Sequence, residues 1–158
     1  MSNFYTDFLA KSEYFQSTSR VDDLAYLEPT MRAAVQAMLA DATAAGEPLL
    51  VIETYRSSQR QQYLYQQGLT QLQIVGVHHY GLAADFAREN DLGQPTWTGD
   101  FGIVGKLAAK HGLVWGGSWK NFKDYGHVQR CSIADQEKLF ASAWYPDSKY
   151  NPLTVEEA

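Results

Sequence analysis

The stretch His78-His79-Tyr80-Gly81-Leu82-Ala83-Ala84-Asp85 sets a histidine and a carboxylate seven positions apart, across a glycine that lets the backbone turn. Imidazole and carboxylate are the side chains that bind a borderline metal such as zinc. Residues 82–87 alternate enough to read as a strand carrying Asp85. Two ligands are not a site, and on spacing alone the pair serves structure as readily as metal. The reading therefore turns on whether the chain supplies a third ligand, a base and a substrate anchor.

Composition narrows the possibilities. A chain of 158 residues with 45% hydrophobic content fits one globular domain. Such a domain buries roughly 70% of its unfolded surface, enough for a core without disulfides or a folding metal, so any metal reads as catalytic. The single cysteine, Cys131, excludes an intramolecular disulfide and a multi-cysteine zinc knuckle. It reads as a small buried side chain. Ligands must come from the four histidines and the carboxylates. A net charge of −5 argues against nucleic acid as partner, because phosphate binding needs clustered Lys and Arg. The first residues, Met1-Ser2-Asn3-Phe4-Tyr5, lack a basic start and the apolar run of a signal peptide. No stretch approaches the ~18–20 apolar residues of a membrane span.

Residues 1–20 read as one short helix packing Phe4, Phe8 and Phe15 onto the body. Pro29 opens a helix over 29–45, with Val35, Met38, Leu39 and Ala42 at helical spacing and Gly46 as its stop. The run 49–52 predicts a buried strand ending near Thr54. A polar helix follows over 59–67, capped by Ser57 or Ser58 and stopped by Gly68, and 69–77 is an irregular link. Residues 90–98 read as a loop and 101–110 as a helix ended by Gly112. Residues 114–119 read as a glycine-hinged turn, 127–129 as a strand, and 133–144 as a last helix capped by Ser132. Strands and helices interleave irregularly without a glycine-rich phosphate loop, which predicts an α+β fold over a doubly wound sheet.

Asp124-Tyr125-Gly126-His127 is the second group with chemistry in it. A carboxylate three residues before a histidine lets one side chain bind metal while the other serves as base. Zinc with three protein ligands keeps a position open for water, whose pKa falls to about 7. The same pair also suits a surface turn. Arg56 follows the apolar strand, where a guanidinium either holds a substrate oxygen or is simply solvated or salt-bridged. Gln61 lies one helical turn further on and means nothing alone. His111, beside Gly112, reads as a helix C-terminal residue favoured by the dipole.

Tyr55-Arg56-Ser57 with Gln61, then His78-x-x-Gly81-x-Ala83-x-Asp85, then Trp115-Gly116-Gly117-x-Trp119 with Asp124-x-x-His127, occur in this order. Together they resemble the zinc peptidases comprising D-alanyl-D-alanine carboxypeptidases and L-alanyl-D-glutamate endopeptidases, which share the hedgehog-domain fold, and among them the small endolysin-like branch. The likeness runs from about Glu28 to Gln129. It implies Zn2+ on His78, Asp85 and His127, with Asp124 as general base. Arg56 would polarise the scissile carbonyl or hold a substrate carboxylate. Gln61, Trp115, Trp119 and Tyr125 would border the substrate, Gly81 would keep the ligand turn tight, and Ala83 would pack beneath the site. His79 falls where the family has a polar non-ligand. Gly76 stands where the family often has serine, and Gly126 where it often has proline; glycine at 126 is expected to loosen the segment holding Asp124 and His127. The link over 68–76 is short beside the family.

The resemblance thus implies one peptidase domain over 1–158, its motif-bearing core at about 28–145. A small antiparallel sheet would carry helices on one side and a zinc cleft on the other. The implied activity is hydrolysis of a peptide bond in peptidoglycan stem peptides, of L-Ala–D-Glu endopeptidase or D-Ala–D-Ala carboxypeptidase type. The expected protein is a monomer made in the cytoplasm without a cleaved signal. It would reach the cell wall on phage lysis or through a secretion machine. Two other readings stand beside this one. A zinc-containing module of the same fold could bind peptidoglycan without turnover, though a binder needs neither Asp124 nor Arg56. A metal-free structural domain would make the motifs coincidental.

Overall fold

Helix α2 (Pro29–Ala44) shows how sequence pattern becomes core. Its N-terminus is capped by the Glu28 carboxylate, which accepts from the backbone N–H of Thr30 (3.0 Å) and Met31 (2.9 Å). Met31, Val35, Met38 and Ala42 share one face and are fully buried; a buried Val or Met side chain contributes about 1.5–3 kcal/mol. Beyond the polar helix α3 (Ser58–Gln66), helix α4 (Gly102–Lys110) adds Ile103, Val104, Leu107 and Ala108 to the same core. The computed structural model describes residues 2–70 and 76–155. Residues 71–75 of the expected link lie outside the described residues.

Strands β1 (Leu49–Glu53), β2 (Ala83–Glu89), β4 (Val114–Trp115) and β5 (His127–Gln129) form an antiparallel sheet in the order β1-β2-β5-β4. The two-residue strand β3 (Pro95–Thr96) pairs with Arg88 and Glu89 of β2. Side chains alternate across such a sheet. Ala84, Phe86 and Val128 face α2 and α4 in the main core, so Asp85 and His127 emerge on the opposite face. That face is not bare. The turn Val77–Tyr80 packs there with Ala83 and with Leu139 of α5 (Gln136–Phe140). The expectation of an α+β antiparallel fold is met, with helices concentrated on one side.

Several elements differ from the sequence reading. The loop over 90–98 contains β3, and the turn over 114–119 begins as β4 before a 3-10 turn at Gly116–Ser118. The last helix stops at Phe140 rather than 144. Ser142 takes φ 57°, and the N–H groups of Ser142 and Ala143 turn back to Leu139 O (3.0 Å) and Lys138 O (3.0 Å). Those two bonds form a Schellman closure, which satisfies terminal carbonyls and ends the helix without a glycine. At the N-terminus, α1 (Phe4–Asp7) is followed by a separate 3-10 turn, Leu9–Lys11. Phe4 and Phe15 pack inward as expected, whereas Phe8 is exposed and stacks on Phe4.

Gly126 corrects a further expectation. The Phe86 N–H donates to Gly126 O at 2.8 Å, carrying the β2–β5 pairing one residue past the strand. A Cβ at 126 would stand 2.4 Å from Phe86 O. Glycine therefore lets two backbones close up beside His127; it does not loosen them. We expect Gly126→Ala to cost about 1–3 kcal/mol of stability, as overpacking does, read as a lower urea midpoint. An unchanged midpoint would contradict the close approach.

Candidate active site

The register of the sheet builds the site. Asp85 on β2 lies directly opposite His127 on β5. On the other side of β2, Glu53 of β1 opposes Asp85 because the register shifts by one residue between Val51 and Glu53. Without that bulge, Glu53 would share the core-facing side of Val51; the extra residue turns it to the Asp85 face. His78 comes from the 3-10 turn before β2, which Gly81 closes with φ 73°.

Three side chains converge. Nε2 of His78 is 3.3 Å from Oδ2 of Asp85, and Nδ1 of His127 is 3.0 Å from its Oδ1. One ligand atom from each of His78, Asp85 and His127 lies within 4.8 Å of the others. The hydrogen bonds on the far side of each ring assign the facing nitrogens. His78 Nδ1 is 2.7 Å from the carbonyl of Thr54, so it donates there and turns Nε2 toward Asp85. Gln129 donates through Nε2 to Cys131 O (2.7 Å) and Gln136 Oε1 (2.8 Å). Its Oε1 therefore accepts from His127 Nε2 (2.8 Å), which turns Nδ1 toward Asp85. Such backing partners fix ring orientation at metal sites.

The donor set fits a tetrahedral ion. Ligands at about 2.0–2.2 Å from zinc stand roughly 3.3–3.6 Å apart; the two imidazole nitrogens stand 3.3 and 3.0 Å from the two Asp85 oxygens, within a group no wider than 4.8 Å. His78 Nε2 is moreover buried without a hydrogen-bond partner. Among the described residues the other buried side-chain nitrogens in that condition are Arg56 Nε and Trp119 Nε1. The Trp119 ring lies 5.2 Å from that of His127, and Arg56 Nη2 is 3.4 Å from Asp85. An unpaired buried polar atom costs on the order of 1–3 kcal/mol. Two of the three belong to side chains in contact with the Asp85 carboxylate, and the third to the ring beside His127.

Charge follows the same plan. Burial works against ionisation of Asp85, but His78 and His127 outweigh it and hold its carboxyl well below the usual range. Burial likewise opposes charge on His127, yet Asp85 and Asp124 raise it above the ordinary imidazole value. Arg56, beside Glu53, Asp85 and Asp124, is held firmly cationic despite burial. Asp124 is exposed and stands outside the three-residue group. Its backbone N–H donates to Gly116 O (3.1 Å) and its carbonyl accepts from His127 N (3.3 Å). A Cβ at Gly116 would meet Asp124 O at 2.4 Å, so the first glycine of the Trp-Gly-Gly motif admits this turn.

The remaining sequence candidates divide. The Trp119 ring lies beside His127, whereas Tyr125 packs on Trp115, whose Nε1–H donates to Tyr125 O (2.8 Å). Gln61 is buried rather than set at a substrate surface; its Oε1 accepts from Arg56 Nη1 at 3.2 Å, so it holds the guanidinium. His79 points away, its Nε2 2.8 Å from Tyr5 OH and its Nδ1 3.4 Å from Tyr55 OH, and burial lowers its pKa to about 4. His111 pairs with the Asp41 carboxylate on α2 (2.8 Å), a specific partner where only the helix dipole was expected. Cys131 is buried. Sequence reasoning missed Glu53, the buried carboxylate bonded to Arg56 (2.8 Å) and Arg60 (2.5 Å). It also missed Thr54 and Gln129, the partners of the two histidines. An acid ending an apolar strand three residues before Arg56 was the available signal for Glu53.

Two imidazoles and a carboxylate converge here as a group able to hold a metal ion, with a buried guanidinium alongside. The D-alanyl-D-alanine carboxypeptidase family pattern matches residues 73–130, which include His78, Asp85, Asp124 and His127. The peptidoglycan L-alanyl-D-glutamate endopeptidase CwlK of Bacillus subtilis (strain 168) is 32% identical over 121 residues, 65% of this chain and 72% of that protein. The Serratia marcescens L-Ala D-Glu endopeptidase ChiX superposes with a TM-score of 0.56 at 27% identity, over 77% of this chain and 93% of that one. A zinc complex of a vancomycin-resistance D,D-pentapeptidase VanY variant shares the fold, with a TM-score of 0.52 at 14% identity over 73% of this chain and 78% of that one. The chain belongs to this family of D-alanyl-D-alanine carboxypeptidases and L-alanyl-D-glutamate endopeptidases.

Glu53 gives the site an acid-sensitive prop. Burial raises its pKa, but the bonds and charges of Arg56, His78 and Arg60 lower it further than burial lifts it. A lowered folded pKa contributes stability that is present above the unfolded value, about 4.3, and is lost as pH falls through the folded value. Glu53→Gln should therefore reduce stability at neutral pH and flatten its acid-side decline, measured by urea unfolding from pH 7 down to pH 3. An acid limb as steep as that of the unmodified chain would contradict this role.

Proposed function

We propose that this chain is a zinc peptidase that hydrolyses the L-Ala–D-Glu bond in the stem peptides of bacterial peptidoglycan. His78 Nε2, His127 Nδ1 and the Asp85 carboxylate would hold the ion. The observation that carries the reading is the buried, unpartnered His78 Nε2, aimed at Asp85 while its other nitrogen is pinned to Thr54 O. The choice of bond is supported by CwlK and ChiX, both named as L-Ala–D-Glu endopeptidases. All of these residues come from one copy of the chain, and the whole is proposed as a single peptidase domain. No helix among the described residues is long and apolar enough to cross a membrane.

Zinc at these ligands supplies a Lewis acid and lowers the pKa of water to near neutrality. The chain supplies the rest. Asp124, exposed at the rim and electrostatically felt by both His127 and Arg56, takes the proton of the attacking water and passes it to the leaving amine nitrogen. Arg56 commits three of its N–H groups to Gln61, Glu53 and Asp85, which fix the guanidinium, and its Nε–H has no partner. We assign it to the scissile carbonyl oxygen, where a fixed cation stabilises developing negative charge. Trp119, whose ring lies 5.2 Å from that of His127, carries a further N–H without a partner, which we assign to the same developing negative charge.

His78→Ala and His127→Ala should each abolish stoichiometric zinc binding, read by elemental analysis. Asp124→Ala should keep the metal and lose about 10²–10⁴ in kcat, the usual worth of a general base, read as amino groups released from purified peptidoglycan. Full activity of Asp124→Ala would sink the assignment, and zinc bound without release by the unmodified chain would favour a binding module. Trp119→Phe keeps the ring and removes the N–H. We expect kcat to fall by up to about 10²–10³ with KM and zinc content little changed; an unchanged kcat would leave Trp119 as packing alone.

A further inference from the structure

Asp124 also lines a cavity of about 480 Å³ whose other walls include Trp97, Phe101, Trp115, Lys123 and Tyr125. His78, Asp85, His127 and Arg56 do not line it, so the cavity adjoins the hydrolytic site and shares only the proposed base with it. Its size falls within the usual range of small-ligand clefts. The aromatic walls come from four separate segments: Trp97 just past β3, Phe101 ahead of α4, Trp115 on β4, and Tyr125 in the turn before β5.

Phe101 belongs to the main core and Trp115 packs against that core, which gives the cavity a fixed base. Phe101 is buried at the floor, whereas Trp97 is 63% exposed and Tyr125 50% exposed. Trp115 Nε1 donates to Tyr125 O at 2.8 Å and the two rings meet edge to face at 6.1 Å, so this wall is preformed. Large aromatic faces left in water beside a proposed catalytic carboxylate await a cover. The polar groups indicate what kind. Lys123 offers an ammonium, with Nζ donating to Gly117 O at 3.3 Å, while Asp100 and Asp124 offer carboxylates. Asp100 spends one oxygen on Gly102 N (2.7 Å). An anionic ligand would meet two carboxylates for one ammonium. A neutral ring presents C–H faces to the aromatics, and hydroxyl and acetamido groups to the mixed charges.

We propose that this cavity is a saccharide subsite that takes the N-acetylated amino sugar to which the stem peptide is attached. The proposal rests on the peptidoglycan reading above and deepens it. Sugar at Trp97 and peptide at Asp124 place the scissile bond a short reach from the glycan, so the glycan-linked peptide becomes the preferred substrate over the free one.

The test compares two substrates with the same stem peptide, one joined to an N-acetylglucosaminyl-N-acetylmuramic acid disaccharide and one free. The unmodified chain should favour the disaccharide-peptide by roughly tenfold in kcat/KM, the worth of one modest contact. Trp97→Ala should erase most of that ratio. Leu92→Ala, on the same loop, 84% exposed and outside the cavity lining, should keep it. Equal kcat/KM on both substrates, or a ratio unaltered in Trp97→Ala, overturns the subsite. If neither substrate is cut, the peptidase reading fails and titration with the same disaccharide, its lactyl carboxyl capped as the neutral amide, decides this one separately. A moving Trp97 indole N–H resonance, assigned by its loss in Trp97→Ala, supports the subsite; an unmoved one overturns it.

Discussion

The Asp85 carboxylate, set opposite His127 by antiparallel register and facing His78 from the preceding turn, is the constraint on which the rest depends. A carboxylate in a largely buried place is expensive unless it is paired. Here it is met by two imidazoles and, at 3.4 Å, by Arg56. The arrangement holds only if β2 and β5 keep their register, because a one-residue slip would turn Asp85 into the α2–α4 core. The buried Ala84, Phe86 and Val128 on the other face oppose such a slip, so the hydrophobic core is what aims the polar site.

A second layer keeps the polar groups pointed. The bulge before Glu53 places a carboxylate where it can hold Arg56 and Arg60. Thr54 and Gln129 fix the two histidine rings. The N-terminal segment is drawn in as well. Tyr5 reaches His79, Ser57 Oγ bonds Ser17 O, and Arg60 donates to Thr18 O (3.1 Å). Residues 1–20, expected only to pack a short helix onto the body, thus brace the turn carrying His78. At the other end, Arg130, one residue past β5, joins Glu28 at the start of α2 to the backbone of Asp147 and Tyr150.

The parts of this arrangement legible in the sequence were those with a local signature. Pro29 and the Met31-to-Ala42 spacing announce α2, the 49–52 run announces β1, and three ordered motifs announce the family to which the chain belongs. What escaped depends on partners distant in the chain. Gly126 looks like slack until Phe86 O is found 2.4 Å from where a Cβ would stand. Gln61 looks like a substrate contact until it is seen bonded to Arg56 from a buried position. Strand β3 is two residues long and exists only because Arg88 and Glu89 offer it an edge. Glu53 owes its role to a bulge, and bulges leave no periodic trace in sequence.

The site is polarised: a carboxylate flanked by two imidazoles, with a buried guanidinium beside it. The proposed zinc ion and substrate oxygen would complete it. Diffraction measured on either side of the zinc absorption edge, from crystals of the zinc-loaded protein, tests this most directly. The account predicts one anomalous peak bounded by His78 Nε2, His127 Nδ1 and the Asp85 carboxylate. A peak at His79 or His111 instead, or none at all with zinc in excess, would contradict it.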